Sequence, residues 1–301
     1  MKRKGLLLVV ALLAAVSLIV AGCAGENTKS AGGKVVVGSK NFNENIILGE
    51  MLAQLIEAKT DLQVERKLNL GGTLVCFNAL KNGDLDLYPD YTGTGLMAIL
   101  KQPVETDPDK VYNYVQEQYN KKFKLKWMKP FGFNNTYAIA VPRETAEKYN
   151  LEKVSDLVPL AGNMVFGAEQ EFFNRPDGYD GLVKTYGLKF KNTKSFETAL
   201  KYQATAQGKI DVTDAFSTDG ELITYDLKIL EDDKKFFPPY FCTAVVRMDT
   251  LEKYPELEDI LNLLAGQISD EEMQQLNYQV AEKERDAKEV VREFLESKGI
   301  I

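Results

Sequence analysis

Residues 82–93 read NGDLDLYPDYTG, and residues 207–218 read QGKIDVTDAFST. Each follows a segment of helical apolar spacing, Thr73 to Asn82 in one case and Phe196 to Gln207 in the other. A glycine just past a helix takes the left-handed conformation at no side-chain penalty, so Gly83 and Gly208 are expected to close these helices. The residues that follow read as strands, Leu85 to Tyr88 and Val212 to Phe216. Asp86 matches Asp211, and an aromatic stands eight residues after each glycine, Tyr91 and Phe216. Two readings are open. Helix–glycine–strand is a common unit that recurs by coincidence, or the chain holds two similar α/β lobes whose strands end at one cleft. Ligands of open α/β sheets bind at the carboxyl ends of strands, so the second reading places Tyr91 and Phe216 there.

Working outward, helix and strand patterns alternate along the rest of the chain. Strands are expected at Lys34 to Gly38, Val64 to Leu68, Leu125 to Met128, Tyr137 to Val141, Met164 to Ala168 and Ala244 to Met248. Asn43 is expected to cap a helix reaching about Thr60, with Ile47, Met51, Leu55 and Ile56 on one face. Asp107 and Pro108 form an N-cap and N1 pair for a helix through Tyr119. Ser269 and Glu272 form a capping box, and Lys288 to Ser297 is amphipathic. The fold class is α/β throughout.

The first 33 residues read differently. Lys2, Arg3 and Lys4 precede an apolar run from Leu6 to Val20, too short and too terminal for a spanning helix. It ends in Val20-Ala21-Gly22-Cys23, which resembles a lipobox. Residues 1–22 are therefore expected to be a lipoprotein signal peptide, with Cys23 carrying the lipid and residues 23–33 forming a flexible tether. The working protein begins near Lys34, outside the cytoplasmic membrane and anchored to it.

Composition narrows the function. A net charge of −7 without a basic cluster argues against nucleic acid. The chain has no histidine, which excludes Ser-His-Asp and Cys-His catalysis and any His-ligated metal. It has neither a Gly-x-Ser-x-Gly elbow nor a Walker phosphate loop. No enzyme activity, cofactor or metal is expected. Cys76 and Cys242 remain after Cys23, and their spacing alone leaves open whether they pair.

Aromatic and small polar residues gather at the expected strand ends, in residues 88–94, 131–137, 215–219 and 236–240. A methylated ammonium has no N–H to donate. It is held instead by aromatic faces, whose quadrupoles attract the cation at about 0.5–2 kcal/mol each when desolvated. Taken singly, each of these rings is as readily explained as core.

The stretches VVVGSKNFNENIILGEMLAQLIE, NLGGTLVCFNALKNGDLDLYPDYTGTGL, GFNNTYA, EFFNRPDGY, DAFSTDGEL and YDLKILEDDKKFFPPY resemble the substrate-binding lipoproteins of osmoprotectant ABC importers. That family takes glycine betaine, carnitine, choline or proline betaine, and related members take ergothioneine. The resemblance runs in order from residue 34 to the C-terminus. It implies a two-lobed periplasmic-binding-protein-like fold of type II, with the ligand in the cleft between lobes. Residues 34–134 with 242–301 would form one lobe, and residues 135–241 the other. It also implies a cage of four aromatics, at Tyr91, Tyr137, Phe216 and Tyr240, with Phe216 standing where tyrosine is usual. Asn135 matches a polar position beside the cage. Lys40 and Arg175 match donors for a betaine carboxylate, and Thr94 a hydroxyl at the same end. Ser39, Glu44 and Asp219 are candidates for the surrounding shell. The expected partners are a quaternary-ammonium zwitterion, the permease subunits of an ABC importer, and the membrane through the N-terminal lipid. The competing reading is an amino-acid or polyamine binding protein of the same fold, which would hold a primary ammonium with carboxylates.

Overall fold

The computed structural model describes residues 32–301 apart from 176, 177 and 197. The signal segment, Cys23 and all but the end of the tether therefore lie outside the described residues. Among the described residues, no helix is long and apolar enough to cross a membrane.

The first sheet is built from β1 (Lys34–Lys40), β2 (Gln63–Gly71), β3 (Leu87–Tyr91), β4 (Leu125–Trp127) and β10 (Cys242–Arg247), in the order β2-β1-β3-β10-β4. The second contains β5 (Tyr137–Pro142), β6 (Val165–Glu169), β7 (Asn192–Phe196), β8 (Val212–Phe216) and β9 (Leu227–Leu230), in the order β7-β6-β8-β5-β9. In each sheet three parallel strands are followed by an antiparallel one that enters from the other side. The parallel strands need helical crossovers. These are α1 (Asn43–Lys59) and α2 (Thr73–Asn82) in the first sheet. In the second they are α5 (Gln170–Asn174) with α6 (Tyr179–Tyr186), and α7 (Thr198–Ala206). Between the two sets lie α3 (Pro108–Phe123) and α4 (Arg143–Tyr149).

Helix α1 is buried on nearly every side, which explains its weak amphipathicity. It lies between β1 and β2 on one face and the C-terminal helices α8 (Asp270–Asn277) and α9 (Ala287–Ser297) on the other. Met51, Leu55, Met273, Val291 and Leu295 share its core. The opposite face of the first sheet packs on Cys76, Leu80, Val115, Tyr119 and Trp127. A separate core around Ile139, Phe166, Phe172 and Val212 supports the second sheet.

Several expected boundaries move. Gly83 and Gly208 do close α2 and α7, at φ of 87° and 67°. Asp107 caps α3 by accepting from the Lys110 N–H, and the Ser269–Glu272 box is formed. Asn43, however, is the first helical residue of α1 and does not cap it, because the extended N-cap position falls on Phe42. Strand β3 runs on through Pro89 to Tyr91 instead of ending at Tyr88. Asn45 makes this possible: its amide donates to the Pro89 carbonyl at 2.9 Å and accepts from the Lys40 N–H at 2.5 Å, tying the ends of β1 and β3 together. Phe196 ends strand β7 and does not start a helix.

Candidate functional site

The carboxyl ends of β1, β3 and β8, the turn after β2 and the two chain crossings between the sheets line a cavity of about 470 Å³. Tyr91, Tyr137, Phe216, Tyr240, Lys40, Thr94, Asn135 and Arg175 all line it. Asn41, Phe42, Gly72, Thr73 and Asp219 complete the lining. A groove of about 500 Å³ lies elsewhere, among the C-terminal helices near Glu271, Arg285 and Phe294, and contains none of these residues.

Tyr91 ends β3 and is 4% exposed. Its hydroxyl donates to Glu44 Oε1 at 2.7 Å. Burial, reinforced by the Glu44 charge, pushes the Tyr91 phenol well above its ordinary pKa, so it remains a donor. Phe42 stacks on the same ring, with centroids 6.1 Å apart, and is 40% exposed at the cavity mouth. Lys40 Nζ lies 5.1 Å from the Tyr91 centroid. Its ammonium is bound to Asp90 Oδ1 at 2.6 Å, with both side chains buried. Asp90 also accepts from the Tyr88 hydroxyl at 2.6 Å and the Tyr91 N–H at 2.8 Å. Lys40 thus lines the cavity as half of a neutral pair, not as an open charge.

The second sheet supplies a facing pair. Tyr137 on β5 stands opposite Phe216 on β8, and their rings are 4.6 Å apart at 30°. Phe172 and Phe237 support Tyr137 from behind. Beneath Phe216, the fully buried Lys201 pairs with Asp214 at 2.8 Å, and its ammonium lies 5.9 Å from the ring. Asp219 accepts from the Tyr202 hydroxyl and from the Phe216 N–H at 3.0 Å. Burial lifts its carboxyl to about 7 against the opposing pull of these donors. Arg175 follows α5. Its guanidinium lies 5.5 Å from the Tyr137 ring and 3.7 Å from Glu171.

The crossings hold the last ring. Asn134 pairs with Phe241 in an isolated antiparallel bridge, and Asn134 Oδ1 accepts from the Tyr240 N–H at 2.6 Å. Thr136 donates to the Pro238 carbonyl at 2.7 Å. The Tyr240 ring rests on Gly93, where a Cβ would come within 2.7 Å of both the ring and the Pro239 carbonyl. Glycine is needed there because the ring and the backbone already fill that space.

Four rings, one guanidinium and a half-buried carboxyl therefore meet at the ends of two similar sheets. The family of the substrate-binding domain of the ABC-type glycine betaine transport system matches residues 33–297. The chain belongs to that family. As a member, it is an extracytoplasmic solute-binding protein of an ABC importer for a quaternary-ammonium-type osmoprotectant. It is 38% identical over 302 residues to a carnitine transport binding protein of Listeria monocytogenes, covering 98% of this chain and 97% of that one. An ergothioneine transport permease/ergothioneine binding protein of Helicobacter pylori is 41% identical over 267 residues, 88% of this chain. The match spans about half of that longer relative, 48% of its length. A solved structure described as a glycine betaine/carnitine/choline ABC transporter superposes with a TM-score of 0.83 at 38% identity, covering 88% of this chain and 99% of that one. The ligand-free YehZ of Escherichia coli gives 0.81 at 30% identity, over 89% and 99%. The family's α/β fold with two mixed sheets and flanking helices is the fold observed here.

Within this family site, Asn41, Phe42, Gly72 and Thr73 were not anticipated. They come from the β1–α1 and β2–α2 turns, which reach the same sheet edge as Tyr91. Cys76 and Cys242 are both free and buried. Burial pushes the Cys76 thiol up to about 11, which keeps it unreactive.

Proposed function

We propose that the protein captures a quaternary-ammonium zwitterion, of the glycine betaine, carnitine, proline betaine or ergothioneine type, in a cage formed by Tyr91, Tyr137, Phe216 and Tyr240. Choline is the related cation without a carboxylate. The observation that carries this reading is the meeting of these four rings, from four separate chain segments, on one cavity edged by Arg175. Arg175 takes the ligand carboxylate, since a guanidinium matches it with two parallel donors. Lys40, already paired with Asp90, has the lesser share. Thr94 and Asn135 offer neutral hydrogen bonds at the same end.

The amino-acid or polyamine reading is disfavoured by the lining. Among the described residues its one acidic residue is Asp219, whose carboxyl burial lifts to about 7. A primary ammonium would need open carboxylates to accept its three N–H groups.

The cycle is a clamp. Residues 34–134 with 242–301 form one lobe and residues 135–241 the other, hinged at the paired crossings near Asn134 and Tyr240. Closure brings the rings around the methylated head and expels water, strengthening each electrostatic contact. The closed form docks on the permease. A lipid on Cys23 would keep the protein near it and raise its effective concentration.

The test is a thermal-shift panel on the purified chain with glycine betaine, carnitine, choline, proline betaine, ergothioneine, glycine and histidine. A ligand that binds only the folded state stabilises by about 2.7 kcal/mol at a hundredfold excess over Kd. A rise with a methylated compound and none with its unmethylated parent is expected. A flat panel would remove the cage.

A further inference from the structure

Glu44 has no part in the cage itself, yet three of the site's structural parts converge on it. It lies in the first turn of α1 and is 4% exposed. Oε1 accepts from the Tyr91 hydroxyl at 2.7 Å and from Asn135 Nδ2 at 2.8 Å. Oε2 accepts from Asn277 Nδ2 at 3.0 Å. Asn277 also donates to the Thr218 carbonyl at 2.8 Å, in the loop that follows Phe216. One carboxylate thus joins a ring of the first sheet, a chain crossing, and through Asn277 the loop of the second sheet. These three donors are neutral. The nearby cation over the same ring, Lys40, is matched by Asp90.

A carboxylate that accepts a phenol hydrogen bond does more than hold the ring. A charge-assisted bond in a low-dielectric interior polarises its donor strongly. Electron density moves from the O–H into the ring, and the negative potential of the ring face rises. Attraction of a cation to an aromatic face depends on that potential. Phe216 has no hydroxyl and can receive no such push, and the Tyr137 hydroxyl meets Glu169 only at 3.4 Å, a much longer and weaker bond than the 2.7 Å bond of Tyr91. We propose that Glu44 is a positioning and polarising residue: it makes Tyr91 the dominant cation-attracting face and thereby sets the preference for a quaternary ammonium head over an uncharged head of the same shape. This rests on the cage reading above.

The experiment compares charged ligands with their carbon isosteres. Glycine betaine is paired with 3,3-dimethylbutyrate, and choline with 3,3-dimethyl-1-butanol, each titrated calorimetrically against the full chain, Glu44→Gln, Tyr91→Phe and the double variant. Glutamine keeps the size and an acceptor oxygen but removes the charge. The ratio of affinities, ammonium over isostere, is expected to fall about fivefold in Glu44→Gln, consistent with a weakened cation–π face. Tyr91→Phe should lower the ratio to a similar extent. The double variant should lower it no further, because both changes break one link. Equal loss for both members of a pair, with the ratio unchanged, would reduce Glu44 to a packing role and overturn the proposal while leaving the cage intact. Additive losses would separate Glu44 from Tyr91 and overturn it as well. If the unaltered protein prefers neither ammonium to its isostere, the cage reading itself fails and the proposal falls with it. Thermal melts of each variant check folding. Should Glu44→Gln not fold, Tyr91→Phe alone must lose the ratio for the proposal to survive.

Discussion

Asp86 and Asp211 occupy the same place in their respective sheets. Each carboxylate accepts a backbone N–H at 2.7 Å, from Val36 on β1 and from Val165 on β6. Each backbone N–H donates at 2.9 Å to the carbonyl of that same residue. Gly38 and Gly167 follow in register. A Cβ on Gly38 would strike Leu85 at 2.4 Å, and one on Gly167 would strike Ile210 at 2.3 Å. Tyr91 and Phe216 then end the matching strands. The coincidence reading of the internal echo does not survive this agreement in topology and contacts.

The two frames carry different side chains where they meet the cavity. Lys40 ends β1 and Glu169 ends β6 at the equivalent position. Opposite Tyr91 stands Cys242, whereas opposite Phe216 stands Tyr137. The second sheet thus presents two rings as a cross-strand pair. The first presents one ring anchored by Glu44, and its other aromatic, Tyr240, comes from the crossing. Both sheets place a buried lysine–aspartate pair beside their ring, Lys40–Asp90 and Lys201–Asp214, but by different routes through the chain. Equivalent frames therefore fix where the ring stands, while the turns and crossings decide what it can recognise.

The largest effect should come from those ion pairs. Lys40→Met or Lys201→Met leaves an aspartate buried without its cation, which destabilises by about 3–5 kcal/mol. Denaturant melts without ligand should show losses of that order for both variants. A large loss for one and none for the other would mean that the two pairs are not equivalent supports. Tyr91→Ala and Tyr240→Ala come next. Each removes a desolvated face and its packing, so affinity for a quaternary-ammonium ligand should fall by about tenfold or more, with a smaller change in the melt. If both retained near-native affinity, the cage would be wrongly placed.

Much of this frame was legible in the sequence, because it rests on local patterns: glycines that close helices, apolar strands, and the repeated aspartate. Strand β7 was not. Asn192 to Phe196 reads NTKSF and is mostly exposed, an edge strand with no apolar alternation to reveal it. Tyr91 and Phe216 were placed at the strand ends by one reading of the repeat, but their role as a cage, and the choice of Tyr137, Tyr240 and the cations, came from resemblance, since a cage ring and a core ring have the same composition. Lys40 shows the limit. Its partner Asp90 is 50 residues away, and no spacing rule couples them, so its charge read as available. Glu44 was named only as part of the surrounding shell, because its three donors come from positions 91, 135 and 277.

Asp219 gives a smaller effect confined to the end of the second sheet. Its pKa is about 7 in the folded protein against 3.8 as the ordinary value. Between those limits the folded state holds more protons than the unfolded one, so stability should fall as pH rises from about 4 to 7. Asp219→Asn should flatten that decline. A bound cation favours the ionised carboxylate, so affinity for a quaternary ammonium should rise by a few fold from pH 6 to 8, and not in the variant. Identical pH profiles for the two proteins would show that Asp219 does not titrate in this range.

The smallest expected change is the most informative about the asymmetry between the two sheets. Phe216→Tyr introduces the ring that the resemblance implies at this position without altering the frame that holds it. The ring already lies against Tyr137 in strand register, so its face should stay where it is, and affinity should change by no more than about threefold. What the added hydroxyl can change is polarisation. At the end of the first sheet the Tyr91 hydroxyl meets Glu44. If the new hydroxyl found an acceptor of its own, the ammonium-over-isostere ratio would rise and no longer depend chiefly on Glu44. If it found none, the ratio would stay at the value set by Tyr91, and the division of labour between a polarised ring and a plain one would stand. A loss greater than tenfold would mean that the para position of Phe216 faces the ligand directly, and that the missing hydroxyl makes room for a bulkier head than trimethylammonium.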